Sequence, residues 1–197
     1  HPARAAIQQG LFLEDVLVEI EAIAVVGQPN RLIASPAIPP LRRPYAQGGI
    51  LVGDLLFLRG FTSQDQHGDL VGRGDMRAQT TQTFANMAIT LQEVGGSLAD
   101  LVQTQVTLTD WHAHREYNEV YNRHVQAPFP TNSTVQGGLG REGLLIEIEA
   151  MAALATSRLT IDSAFTQVGQ ASQEHQPDVT AGYARESAAS DRRPQTR

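Results

Sequence analysis

Two stretches of the chain alternate apolar and polar residues with the period of a β-strand. The later stretch, residues 129–155, contains a predicted strand with two different sides. One side carries Ile146, Ile148, Ala150 and Ala152, and the other side carries Leu145, Glu147, Glu149 and Met151. Residues 1–27 align with this stretch without a gap, with a second predicted strand at residues 16–26. We interpret this internal repeat as the C-terminal end of one module, residues 1–27, followed by a complete module at residues 44–156.

The complete module shows further period-two and helical patterns. Residues 50–52 and 55–59 flank a Gly53-Asp54 turn signal and predict a hairpin. Asp75 caps a predicted helix at residues 76–94, residues 101–109 read as a strand, and Asp110 caps a second helix that ends before Pro128. The order β, β, α, β, α, β, β predicts an α+β domain with two layers, a mixed sheet and two helices on one face. The other face needs a cover, and a subunit interface in a homotrimer or pseudo-trimer would supply it.

Two segments lack periodic patterns. Residues 28–43 carry four of the five prolines between Pro29 and Pro44, and this composition predicts an extended linker with the domain boundary inside it. Residues 157–197 are polar and poor in bulky apolar side chains, which predicts a disordered tail.

Composition narrows the possible chemistry. The formal charge is −6 and the sequence has no basic groove signal, so a nucleic-acid partner is not expected. All 15 basic residues are Arg, which excludes lysine Schiff-base chemistry, and the absence of Cys excludes a thiol nucleophile. No apolar run is long enough to predict a membrane span, and the cytoplasm is the default location. His112 and His114 lie two positions apart on a predicted helix, which does not suit a shared metal ion, so no metal is expected.

Four motifs in order carry a resemblance to a known family. They are PYAQ at residues 44–47, LLFLRG at 55–60, NEVY at 118–121 and IEIEAMA at 146–152. Together they make the chain similar to the Rid family, the reactive intermediate deaminases. The resemblance implies a chorismate-mutase-like, trimeric fold with sites in the clefts between subunits. It also implies hydrolysis of 2-imino or enamine acids to 2-keto acids and ammonia, without metal or cofactor.

The resemblance also assigns site residues. In the family a Pro-x-Arg-Ser arm supplies an Arg for the substrate carboxylate; residues 1–27 keep it as Arg4, whereas the complete module has Asn132. Weak or absent deaminase activity is therefore predicted for the complete module alone. Glu149 matches the carboxylate that positions water. The remaining catalytic and substrate-binding candidates are Tyr45, Asn118, Gly60, Thr134 and Arg59.

Other interpretations stay open. Arg59 or Arg4 could replace the missing arm Arg, and Arg59 could instead be an interface ion-pair partner, while Glu147 is predicted to be solvated or salt-bridged. The alternative to a deaminase is a non-catalytic module for metabolite binding or assembly. Residues 1–27 are expected either to dock as an added hairpin on an edge of the complete module or to hang loosely through the linker. Loose or imperfect docking is the favoured alternative, and it would leave Arg4 outside any completed cleft.

Overall fold

The architecture is a mixed sheet with two helices on one face. The computed structural model describes residues 2–11, 15–39 and 46–154. The elements are β1 (Ile7–Gln8), β2 (Asn30–Ile33), β3 (Gly49–Val52), β4 (Leu55–Phe61), α1 (Met76–Gln92), β5 (Leu101–Leu108), α2 (His114–His124), β6 (Thr131–Gln136), β7 (Gly138–Leu139) and β8 (Ile146–Ala153).

Six strands form the main sheet in the order β2-β3-β4-β8-β5-β6. All neighbours are antiparallel except β5 and β6, which are parallel and are connected through α2. β8 therefore lies inside the sheet, between β4 and β5. The helices cover one face, as a cluster of buried apolar side chains that includes Phe84, Leu108 and Ile148 shows. The predicted α+β fold class is confirmed.

Only the first of the two described helices begins directly after the cap that the sequence predicts. The Asp75 carboxylate accepts a hydrogen bond from the Ala78 amide at 3.0 Å, so α1 begins at Met76 as predicted and ends two residues before the predicted end. Asp110 accepts from the His112 amide, but it caps a short 3₁₀ turn that precedes α2.

Gln79 fixes the entry into β8. This side chain is fully buried on α1, and its amide nitrogen donates to the carbonyls of Gly72 at 3.1 Å and Gly143 at 2.8 Å. Its amide oxygen accepts from the Leu145 amide at 2.8 Å. One side chain thus satisfies three backbone groups, which holds the loop before β8 against the start of α1.

Two predictions about the N-terminal part were wrong. Residues 30–33 of the predicted linker form β2, which pairs with β3, and both Ile33 and Ile38 are buried. Residues 16–26 contain no strand, and their large apolar side chains are exposed, Leu17 at 90% and Val26 at 93%. The predicted tail at residues 157–197 lies outside the described residues. Within the described ranges no helix combines the length and apolar character needed to cross a membrane.

Candidate functional site

A β-bulge in β4 is the centre of the site. The pairing of β4 with β8 shifts between Leu58, opposite Ala150, and Phe61, opposite Ile148. Arg59 and Gly60 therefore share a stretch in which β8 offers only Glu149. A bulge leaves backbone groups out of the ladder and redirects side chains, and such irregularities are frequent beside active sites. Three predicted site residues, Arg59, Gly60 and Glu149, come together here.

The first arm, residues 2–8, docks at this bulge. The Gly60 amide donates to the Arg4 carbonyl at 3.2 Å, and the Ala46 amide donates to the Pro2 carbonyl at 3.1 Å. Further along, β1 pairs antiparallel with β7, with Ile7 opposite Leu139. The expectation of loose or imperfect docking was wrong for residues 2–8, which are hydrogen-bonded to the complete module at defined positions. The Arg4 backbone is hydrogen-bonded to a predicted site residue, and its side chain is exposed.

Glu147 belongs to the site although the sequence reading gave it no role there. A Cβ placed on Gly60 would overlap Glu147 Oε1 and would lie 2.8 Å from the Ala5 Cβ. Only glycine at position 60 leaves room for this carboxyl group and for the arm. Glu147 and Glu149 project from the same face of β8 because they are two residues apart.

The surroundings shift the pKa values of both carboxyl groups upward. Burial raises the pKa of Glu147 to about 7; the nearby Glu149 adds to the rise and Arg59 opposes it. Burial also raises the pKa of Glu149, with a further contribution from Glu21 of the N-terminal segment. Among the described residues no ion pair within 4.0 Å includes Glu147, so the predicted salt bridge is not found.

Arg59 is part of the framework of the site. It is 5% exposed, and its guanidinium donates from Nε to the Gln47 carbonyl at 2.5 Å and from Nη1 to the Gly60 carbonyl at 3.0 Å. The guanidinium also lies 4.5 Å from the centre of the Phe61 ring. Burial lowers the pKa of Arg59 to about 10, and the Glu147 carboxylate acts in the opposite direction. These contacts bind Arg59 to the bulge itself, which argues against its prediction as a substrate clamp.

The other predicted residues form a second group, on the helix side of the sheet. Asn132 donates to the Tyr117 hydroxyl at 3.2 Å and accepts from the Thr134 hydroxyl at 3.2 Å. Burial raises the pKa of Tyr117, a residue that the sequence reading did not assign to the site, and the hydrogen bond from Asn132 opposes the rise. The register pairs Asn132 with the buried Thr104.

The two groups lie on opposite faces of one module. Thr104, which is paired with Asn132, is a core residue on the helix face. Gln105, the next residue along β5, points to the opposite face and is paired with Glu149. Asn118 contacts His114 one turn earlier on α2, with 3.3 Å between the amide nitrogen and Nδ1. Tyr45, the predicted aromatic wall, lies outside the described residues. One module alone therefore does not bring its own Asn132 to its own Glu149.

Comparison with known proteins identifies the family. A family model described as Endoribonuclease L-PSP matches residues 36–154. The chain is 30% identical over 124 residues to the 3-aminoacrylate deaminase RutC of Acinetobacter baylyi. The aligned region covers 63% of this chain and 98% of that relative. It is 27% identical over 123 residues to a 2-iminobutanoate/2-iminopropanoate deaminase of Dermatophagoides farinae, spanning 62% and 95%.

Solved structures agree with this assignment. RidA from Psychrobacter sp. PAMC 21119 superposes with a TM-score of 0.59 at 29% identity, covering 63% of this chain and 99% of that protein. TdcF from E. coli, solved with bound serine, superposes with a TM-score of 0.57 at 28% identity, covering 62% and 98%. The chain belongs to the Endoribonuclease L-PSP family, and the predicted resemblance to Rid proteins is confirmed.

Proposed function

We propose that the chain hydrolyses small 2-imino or enamine acids to 2-keto acids and ammonia at the bulge of β4. The observation that carries the proposal is the docking of the first arm, which hydrogen-bonds Arg4 to Gly60 within the same bulge that faces Glu149. The names of two relatives, a 3-aminoacrylate deaminase and a 2-iminobutanoate/2-iminopropanoate deaminase, support this reaction class.

Each residue has a chemical task in this proposal. In this proposal the Arg4 guanidinium forms a forked, charged contact with the substrate carboxylate. Glu149 accepts a proton from the attacking water while the water oxygen bonds to the imine carbon and the nitrogen takes up a proton. Glu147 has a pKa of about 7 and is partly protonated near neutral pH, so it can supply a proton to that nitrogen. In the second step Glu149 returns its proton to the amine nitrogen of the carbinolamine, and Glu147 takes the hydroxyl proton as the C=O bond forms and the C–N bond breaks, which releases ammonia and the keto acid and restores both carboxyl groups.

The arrangement gives Arg4 and Asn132 different duties. Asn132 lies with Tyr117, away from the bulge of its own module, so its lack of charge does not weaken a site that Arg4 completes. Activity is therefore expected of the whole chain. The prediction of weak activity remains for residues 40–155 without the first arm, because that segment has no arm arginine.

The test is ammonia release from 2-iminobutanoate generated in place, compared between Arg4→Ala and Asn132→Ala. Loss of a charge-assisted contact costs about 1.5–3 kcal/mol, so Arg4→Ala should lower kcat/KM roughly ten- to one-hundred-fold. The matched Asn132→Ala should leave it nearly unchanged. Equal loss in both variants would refute the assignment of Arg4, and no ammonia release from the unmodified chain would favour the alternative of a metabolite-binding or assembly module.

A further inference from the structure

Backbone groups hold the first arm on its surface. The carbonyls of Pro2 and Arg4 accept hydrogen bonds from the amides of Ala46 and Gly60, and the β1–β7 ladder adds the backbone of Ile7 and Gln8. The tight side-chain requirement falls on Ala5, which packs over Gly60. A second segment with the same backbone course and a small residue at that position could therefore form the same backbone contacts and the same packing over Gly60.

The chain contains a second segment of this kind. The second arm, residues 130–136, aligns with residues 2–8 in the internal repeat, so Pro130 matches Pro2, Asn132 matches Arg4 and Ser133 matches Ala5. The residue over Gly60 would thus be small in either arm. Most of the second arm forms β6, an edge strand whose side chains are largely exposed and which, among the described strands, pairs only with β5. Exposed edge strands are ready to pair with another chain.

We propose that the first arm is an intrachain occupant of a surface that otherwise accepts the second arm of another copy of this chain. Docking of the first arm limits self-assembly, and it also decides which residue reaches the bulge. Arg4 enters when the surface is closed within the chain, and the Asn132 of a second copy enters when the first arm is displaced. The homotrimer expected from the family resemblance then requires release of the first arm.

Tethering favours the intrachain state at ordinary concentrations. Residues 9–29 connect the first arm to β2, so the arm and its docking surface belong to one chain. Such tethering gives an effective concentration on the order of millimolar. Chains at micromolar concentration compete poorly with that value unless other contacts between copies contribute. The unmodified chain should therefore be mainly monomeric at micromolar concentration.

Substitutions in the full chain separate the two arms. The Phe side chain of Ala5→Phe cannot fit over Gly60, so this variant should release the first arm. The arm lies outside the core, so the fold should persist. The mass measured by light scattering should then rise with protein concentration. The matched Ala6→Phe, at an exposed position, should leave the mass unchanged. Adding Ser133→Phe to Ala5→Phe should restore the monomer. The proposal is overturned if Ala5→Phe stays monomeric, or if the unmodified chain already forms the same oligomer.

A disulfide trap identifies the occupant directly. The native sequence has no cysteine, and Gln8 lies opposite Gly138 in an antiparallel pair, at a separation suited to a disulfide. Oxidation of a chain carrying Gln8→Cys and Gly138→Cys, with Ala5 unchanged, should give an intramolecular bond and a monomer. Crosslinked dimers as the main product would contradict intrachain docking.

The effect on activity rests on the proposed function and is read separately from mass. Ala5→Phe should lower ammonia release roughly ten-fold or more, because Asn132 replaces Arg4, and adding Asn132→Arg should recover it. If the mass changes as expected but no variant of the chain releases ammonia, the arm exchange stands and the deaminase assignment fails. If ammonia release depends on Arg4 but the mass never changes, the arm exchange fails and the deaminase assignment stands.

Discussion

The two copies of the repeated segment share a pattern and differ in structure. Residues 146–153 form β8 inside the sheet, whereas the aligned residues 18–25 form no strand and expose most of their large apolar side chains. Ile148 is fully buried while its counterpart Ile20 is 83% exposed. The difference comes from neighbours, because β8 lies between β4 and β5 and the first copy has no such pair of strands among the described residues.

For the arms, it is the first copy, and not the second, that is held by the complete module. The first arm is docked at the bulge and carries Arg4, whereas the second arm is an exposed edge and carries Asn132. Alternation of apolar and polar residues predicts that a strand can form, but pairing partners decide whether it does.

Hydrogen exchange should give the largest difference. Amides in the interior of β8 should approach the protection set by global unfolding, about 5–15 kcal/mol for a domain, while amides at residues 18–25 should exchange with little protection. Mass spectrometry of peptides from the two regions measures this. Comparable protection would mean that residues 18–25 are paired in solution.

Truncation of the matched isoleucines should give the next largest difference. Ile148→Ala leaves a cavity in the core and should lower the free energy of unfolding by about 2–5 kcal/mol. Ile20→Ala should change it by less than about 0.5 kcal/mol because the side chain is exposed. Urea unfolding followed by circular dichroism tests both. A large effect of Ile20→Ala would contradict the exposed state of the first copy.

The pH dependence of stability should distinguish Glu147 from its counterpart Glu19. The pKa of Glu147 is about 7 in the folded chain against an ordinary value of 4.5, so the folded state holds more protons between these values. The free energy of unfolding should therefore fall as pH rises from about 4.5 to about 7, by on the order of 3 kcal/mol, and then level off. Glu147→Gln should remove this contribution, and Glu19→Gln, at an exposed position, should keep it. An unchanged slope in Glu147→Gln would sink the assignment.

Local signals made much of the fold predictable. The start of α1 follows from Asp75, whose side chain bonds an amide three residues away, and β8 follows from its own alternation. β2 was missed because it is a four-residue edge strand that directly follows Pro29, and its place depends on pairing with β3. Short strands bounded by prolines carry little signal of their own.

The site was predicted in parts. Motif resemblance brought out Glu149 and Gly60, which do meet at the bulge. The burial of Glu147 could not be read from alternation, since the same polar face is solvated in many sheets; it depends on Gly60, far away in sequence. The docked arm was missed for a similar reason, because residues 2–8 are held by groups near positions 46, 60 and 138.

Gly60 will look catalytic in any survey of mutational tolerance, although it has no side chain. Its missing methyl group is the space in which the Glu147 carboxyl group lies and against which Ala5 rests. The substitution Gly60→Ala would therefore have two effects, since it would displace the Glu147 carboxyl group and loosen the first arm. Its phenotype should resemble the combined loss of Glu147 and Arg4 more than a simple packing defect.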